Sequence, residues 1–109
     1  NVYQDNRISL KEISDNVVQN TFPNILDKVN KDIQSYINDG KYKSLTGFDT
    51  LDEPFSCIQY RHYEAIKEYL EKELANIYKN NIRIRVFSGF SSRFVISVDW
   101  SKKQKKGLL

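Results

Sequence analysis

The stretch IRIRVFSGFSSRFVISVDW, from Ile82 to Trp100, decides the fold. Ile82, Ile84 and Val86 alternate with Arg83, Arg85 and Phe87. After Ser88, Gly89, Phe90, Ser91 and Ser92, a second alternation puts Phe94, Ile96, Val98 and Trp100 on one side. Two runs of period two, separated by small and turn-forming residues, are the signature of a β-hairpin with one buried face. A five-residue loop sets Val86 opposite Phe94, Ile84 opposite Ile96 and Ile82 opposite Val98, so every inward position is apolar. The outward face then carries Arg83, Arg85, Phe87, Arg93, Val95 and Ser97.

Upstream of the hairpin the apolar spacing changes from two to three and four. Tyr63, Ile66, Leu70, Leu74 and Ile77 form one stripe with Glu64, Lys67, Glu68, Glu71 and Lys72 outside it. This predicts a helix that begins between Ser56 and Arg61 and stops before Asn80 and Asn81. Glu68 and Lys72 stand in the favourable i, i+4 order for an ion pair. Before that helix, Asp49 to Pro54 reads as a loop. Tyr42, Ser44, Thr46 and Phe48 alternate with Lys41, Lys43, Leu45 and Gly47 as a short strand, weakened by Gly47.

The amino-terminal segment carries its own punctuation. Ser9 and Glu12 have capping-box spacing, Ile8 and Ile13 flank them as a hydrophobic staple, and a helix is predicted from Leu10. Leu10, Ile13, Val17, Phe22, Ile25 or Leu26, Val29, Ile33 and Ile37 then mark its buried face. Pro23 lacks an amide hydrogen and clashes with the preceding turn. Either the helix kinks near Asn20, or a second helix starts with Thr21 as its cap. Gly40 supplies the left-handed residue that ends it.

These elements describe an α+β domain: a long, Pro-interrupted N-terminal helix, a short strand, a second helix and a C-terminal hairpin, with the helices on one face of a small, mainly antiparallel sheet. A chain of 109 residues suits one domain. We assign residues 1–100 to it and residues 101–109 to a basic, flexible tail. The mean hydropathy of −0.61 is low, but 7 Tyr, 6 Phe and 1 Trp supply the burial that disordered chains lack. One Cys and one His exclude an internal disulfide and a single-chain zinc finger. No apolar run reaches the roughly 18 residues of a membrane span, and Asn1 to Lys11 is polar, so a cytoplasmic protein without a membrane partner is expected.

Charge is divided unevenly along the chain. From Lys79 onward eight basic residues accompany Asp99 alone, a local +7, which leaves −4 for the rest and +3 for the whole. Arg83, Arg85 and Arg93 beside Phe87 suit phosphate contacts and base stacking, and Lys102, Lys103, Lys105 and Lys106 add attraction to a polyanion. The plainer alternative is that the arginines solubilise a sheet face and the lysines form a solvated tail. Gly89, Phe90 and Phe94 resemble part of an RNA-recognition signature, but the spacing and the order of elements differ from it.

No set of residues points to catalysis. Cys57 and His62 lie five positions apart, which turns their side chains away from each other on a helix. Asp49, Asp52 and Glu53 cluster in a loop, where such residues more often make turns and caps than hold Mg²⁺. No phosphate-binding glycine loop or nucleophile elbow occurs, and no catalytic, cofactor or metal site is assigned. Tyr36, Tyr42, Tyr60, Tyr63, Tyr69 and Tyr78 suit the rim of the core, with a partner interface as the alternative.

The chain resembles a loose group of small uncharacterised α+β proteins encoded by tailed bacteriophages. The resemblance rests on Asn38, Asp39, Gly40, Lys41 and Tyr42 at the end of the first helical segment, on the helix from Tyr63 to Lys79, and on Val98, Asp99 and Trp100 at the close of the last strand. It spans most of the chain as architecture, carries no catalytic residue, and departs from the group at Pro23 and in the basic tail. It implies a virus-encoded, non-enzymatic interaction or assembly protein, acting in the host cytoplasm or the virion on a protein partner or on itself. The alternative expectation is a DNA- or RNA-binding accessory protein that uses the basic hairpin and tail.

Overall fold

In the computed structural model, which describes residues 9–79 and 81–101, the first described helix is opened by Ser9. Its hydroxyl accepts a hydrogen bond from the Glu12 amide at 3.0 Å and caps α1 (Leu10–Gln19). Ile8 of the expected staple lies outside the described residues. The Pro23 break resolves into two helices, with α2 running from Phe22 to Asn38. Pro23 sits in the first turn of α2, where an amide hydrogen has no helical partner to lose. Thr21 stands at the boundary, yet its hydroxyl donates backward to the Val18 carbonyl at 2.6 Å and does not cap α2.

Gly40 ends α2 as expected, at φ +77°. The Gly40 amide donates to the Ile37 carbonyl and the Lys41 amide to the Tyr36 carbonyl, both at 2.9 Å, which satisfies two carbonyls the helix leaves open. The chain then reverses into β1 (Lys43–Asp49), with Ser44, Thr46 and Phe48 buried in alternation. Thr46 donates its hydroxyl hydrogen to Asp32 of α2 at 2.7 Å, and Lys28 donates to the Gly47 carbonyl at 3.2 Å.

α3 runs from Tyr63 to Ile77, later than the sequence predicts. Two 3-10 turns, Phe55–Cys57 and Tyr60–His62, occupy the expected helix start. Between them Ile58 and Gln59 are extended, and Ile58 is buried. Delivering that side chain to the core requires leaving the helical path. The surface ion pair that closes on α3 is Lys67–Glu71 at 3.4 Å, one position before the expected Glu68–Lys72.

The hairpin consists of β2 (Arg83–Ser88) and β3 (Arg93–Asp99), and the sheet order is β1-β3-β2, antiparallel throughout. Val86 faces Ile96, Ile84 faces Val98 and Ser88 faces Phe94, two residues from the expected register. The cause is a tighter turn. Gly89 donates to the Arg93 carbonyl at 3.0 Å and extends the pairing, so Phe90, Ser91 and Ser92 alone form the tip, with Ser91 at φ +57°. A shift of two keeps every side chain on its expected face, whereas a shift of one would have exchanged the faces.

Both long helices pack on the inner face of this sheet. Ile25, Val29 and Ile33 of α2 and Ile66, Leu70 and Leu74 of α3 are buried with Phe94, Ile96 and Val98 of β3 and Ile84 of β2. Phe48 stacks on Phe94 with ring centroids 4.9 Å apart. The expected stripe fails on α1, where Leu10, Ile13 and Val17 are 82%, 46% and 47% exposed and Val18 is the buried residue. The true inward line runs through Val18, Phe22, Ile25, Val29 and Ile33. Continued backward at helical spacing, it meets Asp15 and Lys11, so α1 docks by polar groups and leaves its most apolar side outward. Ile37 and Ile77 also lie more exposed than predicted. Replacing Val18 with Ala is expected to lower stability by about 2 kcal/mol, and Val17→Ala by under about 0.5 kcal/mol, in urea unfolding. A larger loss at Val17 than at Val18 would show that α1 faces the other way.

Candidate nucleic-acid interface

With the helices packed on one side, the other side of the sheet carries the strands' alternate side chains, joined at the β2 edge by Lys67 and Glu71 of α3. Adjacent strands place these in rows: Lys43, Asp99 and Arg83; Leu45, Ser97 and Arg85; Gly47, Val95 and Phe87; and, at the end of the sheet, Asp49 and Arg93. Arg83, Arg85, Phe87 and Arg93 therefore share one face, as the hairpin pattern predicts. The four basic residues Lys43, Arg83, Arg85 and Arg93 are exposed, and Phe87 and Val95 are half-buried between them. Lys102, Lys103, Lys105 and Lys106 lie outside the described residues.

The basic groups do not have the same surroundings. Arg83 pairs with Asp99 at 3.0 Å. Burial pushes the Asp99 carboxyl up. The Ser101 amide and hydroxyl at 2.9 and 2.7 Å, together with Arg83, outweigh that and bring it below the usual range. The Arg85 guanidinium lies 4.9 Å from the centroid of the Phe87 ring, a cation–π contact. Arg93 reaches across the face to β1, where a Cβ on Gly47 would stand 3.2 Å from its Nη2. The glycine that weakens β1 as a strand thus admits an arginine over its backbone. Among the described residues no carboxylate pairs with Lys43, Arg85 or Arg93.

Arranged in this way, Arg85 and Arg93 lie toward the half-buried Phe87 ring and Lys43 at the far end of the same face, while Asp49 and Asp99 stand opposite Arg93 and Lys43 in register without closing ion pairs with them. Point charges attract phosphates without regard to sequence, and an aromatic face beside a guanidinium accepts a planar base. Lys43 was not among the residues singled out by sequence. Its place opposite the buried Ser44, Thr46 and Phe48 was visible in the alternation, but not the fact that β1 joins the hairpin beside β3.

The other candidate residues have local duties. The Cys57 thiol faces the Pro54 carbonyl at 3.5 Å. Asp49 accepts from the Leu51 amide at 2.9 Å, and Glu53 accepts from the Ser56 hydroxyl at 2.7 Å, so both carboxylates serve turns. Among the described residues no group of three or more His, Cys, Asp and Glu side chains converges as a metal site, and no helix is long and apolar enough to cross a membrane. A cavity bounded by Ile33, Ile37, Tyr78, Ile82, Val98 and Trp100 holds only about 30 Å³; two open hollows are wider, one of about 300 Å³ at Asp15, Arg61 and His62 and one of about 340 Å³ over Arg83, Arg85, Ser97 and Asp99, where Lys67 and Glu71 of α3 join the lining.

One polar cluster was not legible in the sequence. Asp15 of α1 accepts from Arg61 at 2.7 Å and from Lys11 at 3.1 Å, and faces His62 Nε2 at 3.2 Å. Because the Gln59 amide donates to Nδ1 at 3.0 Å, the ring hydrogen sits on Nε2 and points at Asp15. Both nitrogens of this buried imidazole are therefore engaged. The cluster fastens α1 to the turn before α3. The Arg61 guanidinium, then the Lys11 ammonium, hold the Asp15 carboxyl well below the usual carboxylate range against an opposing push from burial, with His62 adding to the effect.

In the unfolded chain Asp15 takes up its proton near pH 4, whereas the folded protein keeps it ionised to lower pH. Its stabilising effect is therefore complete above that pH and is lost as pH falls. Between about pH 5 and pH 2 the wild-type urea midpoint is expected to drop more than that of Asp15→Asn; parallel drops would show that the cluster does not hold α1. No protein-family model matches the chain, and no curated protein or solved structure matches it.

Proposed function

We propose that the protein works by binding rather than catalysis, and that the open face of its sheet binds nucleic acid. The observation that carries this reading is the position of Arg85 and Arg93, exposed and without an ion pair among the described residues, toward the half-buried Phe87, with Lys43 farther along the same face. The four lysines at 102, 103, 105 and 106 follow the central strand directly in sequence and add charge of the same sign. Phosphate contacts by such groups release counterions, so affinity depends steeply on salt and weakly on sequence. The resemblance to small phage proteins extends the proposal to a virus-encoded accessory protein in the host cytoplasm or virion.

A second reading, binding to a protein partner or to itself, is favoured by Leu10, Ile13 and Val17, which form an apolar stripe on the outward side of α1. A dimer detected by light scattering and abolished by Val17→Asp would support it; a monomer at every concentration would remove self-association.

Fluorescence anisotropy with a labelled oligonucleotide tests the leading reading. Binding is expected at about 50 mM salt and should weaken by orders of magnitude toward about 200 mM. Arg85→Ala combined with Arg93→Ala should reduce the salt slope by roughly one unit per residue. No binding at the lower salt, or an unchanged slope in the double variant, would remove this face from the function.

A further inference from the structure

We propose that the open face selects single-stranded over duplex nucleic acid, with an unpaired base stacked on the Arg85–Phe87 pair; the proposal rests on the nucleic-acid reading above. Geometry argues first against a duplex. A free two-stranded ribbon fits the major groove, but here β3 is paired on both sides by β1 and β2. Three strands at about 4.8 Å spacing already span about 10 Å between outer axes, and side chains widen them beyond the roughly 12 Å groove. On this face of the sheet no helix projects to take the ribbon's place, because α2 and α3 pack on the inner side.

The same flatness suits a splayed strand. Phe87 is half-buried in the face, and its ring already accepts a planar cation, the Arg85 guanidinium at 4.9 Å. A base presents the same kind of flat surface and stacks on either an aromatic ring or a guanidinium plane. Phe90, 92% exposed at the hairpin tip, offers a second ring at the Phe87 end of the face. Lys43 and Arg93 lie on either side of this platform along the strands, separated by about 20 Å of sheet, room for a short run of extended backbone. Unpaired bases can reach the ring while the phosphates meet the cations. In a duplex the bases are stacked on one another and cannot.

Anisotropy of the full chain with thymidine DNA, uridine RNA and a duplex of equal length, all at low salt, tests this directly. At least one single strand should bind tenfold or more tightly than the duplex. Phe87→Ala should weaken single-strand binding about tenfold and leave duplex binding unchanged, while Phe87→Trp retains it. Arg85→Lys, which keeps the charge without the plane, should weaken single-strand binding with the salt slope preserved. Circular dichroism establishes that each variant is folded. Duplex binding as tight as single-strand binding, or equal losses on both with Phe87→Ala, would overturn the preference and leave nucleic-acid binding intact. No binding to any of the three would overturn both.

Discussion

β3 is the strand on which the rest of the molecule depends. It is hydrogen-bonded to β1 on one side and β2 on the other, and Phe94, Ile96 and Val98 on its inner face are fully buried. Period-two geometry forces its alternate residues outward, so the burial that stabilises the fold also fixes Arg93, Val95 and Ser97 on the opposite side. Each buried aliphatic or aromatic side chain contributes about 1.5–3 kcal/mol. A slip of one residue would bury Arg93 and expose Phe94, which sets the register firmly.

Covering one face is what gives the other its character. α2 and α3 supply enough apolar surface to cover β3's inner side, and the outward side is flanked by edge strands that contribute cations. Asp99 tempers the charge at one end by pairing with Arg83. Toward the hairpin tip Asp49 stands opposite Arg93 in register without pairing with it, and Arg85 lies against the Phe87 ring. The polar attachment of α1 through Asp15, Arg61 and His62 has a parallel consequence, since it leaves Leu10, Ile13 and Val17 outward. Two exposed surfaces of different chemistry thus follow from how two elements dock.

Local patterns were readable where burial and period agree. The hairpin faces, the Ser9 cap, the Gly40 stop and the alternation of β1 all follow from side chains a few residues apart. What sequence missed depends on distant partners. Asp15 reads as an exposed helical acid until Arg61 and His62, 46 and 47 positions away, come beside it. Val17 looks more central than Val18 while α1 and α2 are treated as one continuous stripe. The hairpin register was offset because Gly89 pairs instead of looping. The basic face was legible as a list of arginines, but Lys43 joined it only through the β1–β3 pairing.

The central claim, that one face of the sheet is packed and the other is a binding surface, is tested most directly by a two-dimensional NMR titration of the full chain with a thymidine oligonucleotide. Side-chain shifts are expected at Lys43, Arg85, Phe87, Arg93 and Val95, with their inward neighbours Val86, Phe94 and Ile96 unmoved. Shifts centred on the outward stripe of α1, or spread equally over both faces of the sheet, would contradict it.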